Sequence, residues 1–163
     1  KNGGPQDGDK IICLRNYWEI FADNEDPLIN GTIGVLNNSF STFYQLPRYA
    51  GGQQLSVLIA NFNTDSGSHF DSLEMDKLMI STGETTLDWK TSFKLSKNPK
   101  TRHLVPLEFT YGYANTCHKS QGSEWDKVLV VEEKFPFDKE EHARWLYTAA
   151  TRASEKLVIR MKD

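Results

Sequence analysis

Hydrophobic and polar residues alternate over short stretches in the first two thirds of the chain. Segments 10–15, 32–36 and 55–62 each alternate over a few residues, which is the pattern of a strand with one buried face. The dipeptide Asn30-Gly31 precedes the second of them and is a strong hairpin signal. Short strands separated by Gly, Asn and Asp turns favour a small β-barrel over a parallel sheet.

Two segments inside this region depart from a simple barrel. Residues 71–80 carry apolar side chains at helical spacing and predict a helix, whereas residues 85–95 return to alternation and predict a strand. The region of about 38–103 is longer than a five-strand barrel needs. We therefore expect a hairpin or helical elaboration of the barrel there.

From residue 107 onward the pattern changes to alternating strands and helices. Three segments predict strands of a parallel sheet, and the last two of them are continuous apolar runs of the kind buried on both faces: 109–113, 127–132 and 157–161. Strand, helix and strand in this order predict a right-handed βαβ unit. Ligands bind such sheets at the carboxyl ends of the strands, and we expect the residues around His118 to lie at such an end.

The helix of this unit is marked by a start signal. Asp138 and Glu141 are spaced as an N-cap residue and the third residue of a helix. Apolar residues then recur at helical spacing: Ala143, Leu146, Ala149, Ala150 and Ala153. We expect a helix that packs through these residues and ends near Arg152.

The composition permits a compact fold and limits how the chain could bind nucleic acid. The chain has 163 residues, of which 38% are hydrophobic, enough to bury a core as one domain or as two small ones. Its net charge of -3 and pI near 5.8 argue against binding nucleic acid through a general positive field. Any such binding needs a local site.

Cysteine usage and the absence of long apolar runs bear on location. Cys13 and Cys117 stand far apart and outside any metal-binding spacing, which predicts a reducing, cytoplasmic location and no metal site. No run in the sequence approaches the roughly 20 apolar residues that cross a bilayer, so we expect no membrane partner. Residues 1–5 carry neither a signal core nor an initiator methionine, and we expect the chain to be cut from a longer one.

Two runs in the last third of the chain carry the candidate chemistry. The first, 116–124, reads Thr-Cys-His-Lys-Ser-Gln-Gly-Ser-Glu and sets hydroxyl, imidazole, ammonium and carboxamide groups beside a glycine. The second, 147–153, reads Tyr-Thr-Ala-Ala-Thr-Arg-Ala and ends the predicted helix with an arginine. Together they indicate a site for a nucleotide and a phosphate backbone.

These runs resemble motifs V and VI of superfamily 1 DNA helicases, most closely those of the RecD-like branch. The resemblance implies a UvrD-like helicase C-terminal domain, with the C-terminal portion of a RecA-like α/β parallel-sheet domain at 108–163. It also implies that 1–107 is an inserted, elaborated SH3-like β-barrel, whose usual opening resembles Gly8-Asp9-Lys10-Ile11-Ile12 followed by Asn30-Gly31-Thr32-Ile33-Gly34.

For the nucleotide, the resemblance assigns catalytic roles to Arg152 and Gln121. An arginine presented rigidly from one lobe reaches a γ-phosphate held by the other, because its planar fork matches the charge on the transferring oxygens. Gln121 and Gly122 link the DNA and nucleotide sites, and Glu124 accepts a hydrogen bond from the ribose. The alternative for Arg152 is a partner of the helix C-terminus or a surface ion pair. Tyr147 is expected to pack, and contact with the nucleotide is the alternative.

For single-stranded DNA, the resemblance assigns Thr116 and His118 to the phosphate backbone. The ordinary alternatives are a helix cap for Thr116 and a buried, satisfied histidine for His118. Lys119 joins this set, although its charge could equally pair with Glu124 or Asp126.

A basic stretch with aromatic residues follows Trp89. Lys94, Lys97 and Lys100 are weaker candidates for DNA contact, since charges can follow phosphates while rings stack on bases. The alternative is a solvated hairpin whose Trp89 and Phe93 fill the barrel core.

The sequence predicts the C-terminal portion of an ATP-dependent helicase that uses ATP and Mg²⁺ and moves on single-stranded DNA, with a 5′ to 3′ direction suggested by the resemblance. It lacks the Gly-x-x-x-x-Gly-Lys-Ser/Thr loop that cradles phosphates, so the missing N-terminal motor domain would be a partner and the fragment alone would be inactive. Two alternatives are a helicase subunit of an exonuclease complex, with exonuclease subunits as partners, and a non-catalytic DNA or protein interaction module.

Overall fold

The computed structural model describes residues 4–120, 124–132 and 138–161, without the side chain of Lys119. The chain divides into two compact units, Lys1–Tyr113 and Ala114–Asp163. No helix in the described ranges has the length and apolar content needed to span a membrane.

Antiparallel strands dominate the first unit. Its described residues form seven strands: β1 (Lys10–Cys13), β2 (Tyr17–Phe21), β3 (Pro27–Leu28), β4 (Ile33–Gln45), β5 (Gln54–Thr64), β6 (His69–Asp76) and β7 (Phe109–Tyr111). Five of them make one sheet in the order β6-β5-β4-β1-β7, and β2 pairs with β3 separately. The predicted turn lies at Asn30 and Gly31, where Gly31 has a φ of 93°.

The two edge strands of the five-stranded sheet, β6 and β7, do not pair with each other among the described strands. An isolated parallel bridge joins Met75 of β6 to Leu107, which precedes β7. The predicted closed SH3-like barrel is therefore not confirmed for the described part of the first unit. β4 and β5 run for 13 and 11 residues and continue as a ribbon beyond the short β1.

Three phenylalanine rings meet within the largely aliphatic main core of this unit. Phe62 is fully buried and meets Phe109 edge to face at 5.3 Å and Phe70 at 6.1 Å. Gly34 lies where β4 crosses this core, and a Cβ there would overlap the carbonyl oxygen of Asn63. A glycine is therefore required at this close approach of β4 to β5.

A second, smaller core lies at the far end of the β4–β5 ribbon and includes helix α2 (Trp89–Ser96). Its buried members come from the ribbon and from the segment around α2: Leu46, Ala50, Leu55, Val57, Leu87 and Leu95. Helix α1 (Lys77–Thr82) contributes its buried Ile80 to the main core instead. Both helices lie within about 38–103, where the sequence predicted a hairpin or helical elaboration of a barrel.

The helix predicted over 71–80 was wrong for its first part. Residues up to Asp76 belong to strand β6, and α1 begins only at Lys77. The apolar residues that suggested one helix belong to two elements, since Leu73 lies on β6 while Leu78 and Met79 lie on α1. A bulge, in which Ser72 has a φ of 49°, interrupts the register of β6 just before Leu73.

The strand predicted over 85–95 was also wrong, since α2 occupies most of it. Asp88 caps this helix by accepting from the N–H groups of Lys90 and Thr91 at 3.0 and 3.1 Å. Leu95 is the buried residue of α2, so the apparent alternation reflects no buried strand face.

The second unit contains the predicted strand-helix-strand order. β8 (Trp125–Val131) and β9 (Ala153–Arg160) pair in parallel and are connected through α3 (Lys139–Ala150). Asp138 caps α3 by accepting from the N–H groups of Glu140 and Glu141, both at 2.9 Å. These parallel strands confirm the predicted α/β character of this part of the chain.

Three details of that prediction were wrong. Residues 109–113 do not extend the parallel sheet, because β7 pairs antiparallel with β1 in the first unit. β8 and β9 are not buried on both faces within this unit, since Leu129 is 63% exposed while Val130 is 6% exposed. Ala153 belongs to β9 and not to the packing face of the helix.

Candidate nucleotide and nucleic-acid site

The run that begins at Thr116 forms a tight turn anchored at its end. His118 to Ser120 make a short 3-10 helix, and Ser120 is 8% exposed. The Ser120 N–H donates to the carbonyl of Thr116 at 3.1 Å, and its hydroxyl donates to the carbonyl of Cys117 at 2.7 Å. Thr116 and His118 are exposed on this turn. The alternative interpretation of His118 as a buried, satisfied histidine is therefore wrong.

Cys117 connects this turn to the helix of the same unit. Its Sγ donates to the carbonyl of Trp145 on α3 at 3.5 Å. Burial raises the pKa of the Cys117 thiol, and the positive charge of Arg152 lowers it in part. The two runs singled out in the sequence therefore lie within electrostatic reach of each other.

Arg152 is held at the junction between α3 and β9. Its Nε donates to the carbonyl of Thr148 at 3.1 Å, and one terminal nitrogen donates to the Thr151 hydroxyl at 3.1 Å. Its backbone carbonyl accepts from the N–H of Trp125 at 2.9 Å. Bonds to the last turn of α3 make Arg152 a partner of the helix C-terminus and also fix the position of its guanidinium.

The neighbours of Arg152 in the second run have distinct environments. The Thr148 hydroxyl donates to the carbonyl of Arg144 at 2.9 Å, and the Thr151 hydroxyl donates to that of Thr148 at 3.1 Å. Both threonines therefore bond the preceding turn, as β-hydroxyl side chains do in helices. Tyr147 is 72% exposed, so the packing role expected for it is wrong.

Glu124 and Arg152 lie at the same end of the two parallel strands. Glu124 is exposed immediately before β8, and Trp125 is paired with Ala153, which follows Arg152. This end is the amino end of β8 and β9. The expected location at the carboxyl ends was wrong because the Thr116 run precedes β8, and the strand before the run belongs to the sheet of the first unit.

Some predicted site residues lie outside the described residues. Gln121 and Gly122 fall in the gap between Ser120 and Glu124, and the side chain of Lys119 is not described. In the described ranges, no group of three or more His, Cys, Asp and Glu is arranged to hold a metal ion.

Sequence reasoning missed the contact that ties the end of β8 to α3. Glu132 follows β8, and its carboxylate lies 2.9 Å from Nε2 of His142, whose ring stacks on Trp145 at 6.1 Å. The backbone carbonyl of Trp145 in turn accepts the bond from Cys117, so this chain of contacts supports the turn that carries Thr116 and His118. The pair joins the end of a strand to a helix, and no spacing rule signals such a contact.

The basic stretch takes a form that neither sequence interpretation described. Lys94 lies on α2, and Lys97 and Lys100 follow it in a segment of turns, all of them exposed. Trp89 and Phe93 are 67% and 45% exposed. The alternative of a hairpin whose two aromatic rings fill a core is therefore wrong.

A comparison with models of protein families finds a match in the last third of the chain. Residues 111–159, less than half of the chain, match the family model of the UvrD-like helicase C-terminal domain. The matched segment contains the Thr116 run, β8, α3 and Arg152. The helicase C-terminal domain predicted from the sequence is thereby supported for this segment.

Comparison with whole proteins adds less. No curated protein matches the chain. Among solved structures, the chain is similar to the Pif1 helicase from Candida albicans, with 16% sequence identity and a TM-score of 0.44 over 98% of this chain and 33% of that one. The chain thus spans about a third of the length of that helicase, and a likeness at this level carries no functional conclusion.

Proposed function

We propose that this chain is the C-terminal portion of an ATP-dependent DNA helicase of superfamily 1, of the RecD-like branch. The parent protein couples ATP hydrolysis to movement along single-stranded DNA and to unwinding of the duplex. The observation that carries the proposal is Arg152, fixed at the α3–β9 junction and close enough to influence the Cys117 thiol in the adjacent turn. Both lie in the segment that matches a helicase C-terminal domain.

In this proposal Arg152 acts on the γ-phosphate of ATP. Its planar guanidinium, already oriented by Thr148 and Thr151, offers donors to the oxygens that gain charge as the phosphoryl group leaves. A guanidinium that is fixed beforehand needs no reorganisation as charge develops on these oxygens, which favours the transition state over the bound substrate. Glu124 accepts from the ribose hydroxyl, and Gln121 with Gly122 connects the nucleotide to the DNA.

Mg²⁺ would shield the phosphate charges in the parent enzyme, but the described part of this chain does not fit a magnesium site. It has no cluster of metal-binding side chains, and the whole sequence lacks the glycine-rich phosphate loop. The N-terminal motor domain of the parent is therefore the proposed source of both. The first unit, sheet and ribbon together, takes the position of the domain inserted into the second motor domain.

The turn at Thr116 is the proposed contact with single-stranded DNA. Its exposed hydroxyl and imidazole offer donors to successive phosphates, and contacts of this kind hold a strand without reading its sequence. The buried Ser120 and the bond from Cys117 to α3 keep the turn in place.

The DNA contact is tested by a double substitution, Thr116→Ala with His118→Ala, in the parent helicase. We expect the affinity for single-stranded oligonucleotides of different sequence to fall by the same factor, roughly 5-fold or more, because phosphate contacts carry no base preference. Fluorescence anisotropy with labelled oligonucleotides measures it. Ser154→Ala, which removes an exposed hydroxyl from β9 of the same unit, is the matched control. Unchanged affinity in the double variant would refute the assignment.

A further inference from the structure

Helix α2 presents a pair of stacked aromatic rings to solvent. Trp89 and Phe93 have ring centroids 5.0 Å apart with an interplanar angle of 17°, and they are 67% and 45% exposed. Lys97, one turn further on, holds its Nζ 4.3 Å from the centroid of the Phe93 ring. The spacing of four residues puts all three on one face of the segment.

The opposite side of the helix is anchored, so this face does not turn inward. Leu95 is 3% exposed in the small core at the end of the β4–β5 ribbon. Asp88 caps the start of the helix, and the buried Thr101 hydroxyl donates to the Leu95 carbonyl at 2.9 Å beyond its end. The exposed rings are therefore on a face fixed by packing and hydrogen bonds.

The charge around this face is positive, although the chain as a whole is negative. The sequence contains no carboxylate between Trp89 and Glu108 and has five permanent cations there: Lys90, Lys94, Lys97, Lys100 and Arg102. In the described ranges, none of these five lies within ion-pair distance of a carboxylate. Asp88 at the start of α2 is the one carboxylate between Glu84 and Glu108, so this segment has an excess of four positive charges against a net charge of -3 for the chain, which makes it complementary to a polyanion.

We propose that α2 is a second contact for single-stranded nucleic acid, in which unpaired bases stack on Trp89 and Phe93 while the lysines follow the phosphates. We call Trp89, Phe93, Lys94, Lys97 and Lys100 the α2 platform. Every unpaired base has a flat face, so exposed rings beside cations bind a strand with little regard to sequence. The platform belongs to the first unit and uses none of the residues assigned to ATP or to the Thr116 turn.

The experiment uses the purified 163-residue chain and two labelled oligonucleotides of equal length. One is oligo(dT), and the other is an abasic strand with the same phosphates and no bases. Trp89→Ala and Phe93→Ala should each weaken oligo(dT) binding roughly 5- to 150-fold, the range for loss of one stacked base, and leave abasic binding nearly unchanged. The matched controls are Trp18→Ala and Phe43→Ala, which remove exposed rings outside α2 that are each 63% exposed.

The lysines are tested separately by salt dependence. Replacing Lys94, Lys97 and Lys100 together by Ala should flatten the slope of log affinity against log salt by about 2, at roughly 0.7 for each single-strand phosphate contact. A melting curve for each variant shows whether the fold is retained.

The outcomes separate this inference from the proposed function. Loss of oligo(dT) binding with Trp89→Ala alongside normal binding by the Thr116→Ala, His118→Ala variant supports the platform even if the Thr116 assignment fails. Equal losses for oligo(dT) and the abasic strand, or equal losses with Trp18→Ala, overturn base stacking. Unaltered DNA binding in both ring variants overturns the platform and leaves protein docking as the use of this face.

Discussion

Single residues in the second unit perform more than one task. Arg152 bonds to the last turn of α3, which is a structural role, and the same bonds fix the guanidinium that we propose acts on ATP. Cys117 lies close enough for the charge of Arg152 to lower the pKa of its thiol, although burial raises that pKa by more. The pKa of the Cys117 thiol therefore depends on how close Arg152 lies to it.

Alkylation of Cys117 tests this proximity. A raised pKa keeps the thiol protonated near neutral pH, so the rate with iodoacetamide should be low at pH 7.5 and increase as pH rises through the pKa. Arg152→Gln removes the positive charge that favours the thiolate, so the pKa should rise further and the rate at any one pH should fall. Mass spectrometry of the Cys117 peptide measures the rate.

The buried Cys13 peptide in the same sample is the reference for unfolding. If Arg152→Gln left the alkylation rate of Cys117 unchanged while Cys13 stayed protected, the Thr116 run and the Arg152 run would not lie close together. That result would contradict the arrangement.

At the scale of elements, sequence patterns identified several strands and one helix but failed where an apparently regular spacing crossed the boundary between two elements or belonged to a helix. The spacing of Leu73, Leu78 and Met79 spans the end of β6 and the start of α1, and the alternation over 85–95 imitated a strand. The start signal at Asp138 was confirmed, whereas Asp88 also caps a helix and its signal was missed. The contact between Glu132 and His142 depends on the fold and has no local signature.

Asp76, at the end of β6, holds the start of α1 and Thr86 through hydrogen bonds, so its loss should lower stability. It is 3% exposed, and Oδ1 accepts from the N–H groups of Leu78 and Met79 and from the Thr86 hydroxyl, while Oδ2 accepts from the Thr86 N–H at 2.7 Å. Asp76→Ala should lower the free energy of unfolding by about 3 kcal/mol, because a cap is lost and buried donors keep no partner.

Urea unfolding followed by circular dichroism measures that loss. Asp88→Ala, the same change at an exposed cap in the same unit, should destabilise by less. A loss of under about 1 kcal/mol with Asp76→Ala would show that these donors find other partners.

For the whole molecule, the sequence predicted the second unit better than the first. The parallel βαβ order and the helicase C-terminal domain follow from residues close together in the chain, and both are supported. The five-stranded sheet of the first unit pairs strands that are far apart in the chain, such as β1 with β7, and no local pattern encodes such pairing. The exposure of Trp89 and Phe93 depends on which face of α2 packs, so composition alone left two interpretations open.

The isolated chain should not hydrolyse ATP. Its sequence has no phosphate-binding loop, so Glu124 and Arg152 could reach only the outer parts of the nucleotide. A coupled phosphate-release assay at millimolar ATP, with and without oligo(dT), measures turnover. A robust rate that Arg152→Ala abolishes would mean that this chain holds a complete active site.

The most direct test of the account is ATP turnover in the intact parent helicase carrying Arg152→Ala. Because the arginine is proposed to stabilise transition-state charge, DNA-stimulated kcat should fall by roughly 10³-fold or more while nucleotide affinity changes little. Arg144→Ala is the control, since Arg144 lies on α3, the helix that precedes Arg152, is exposed and pairs with Glu140. Turnover that is unchanged by Arg152→Ala, or that falls equally with Arg144→Ala, would contradict the account.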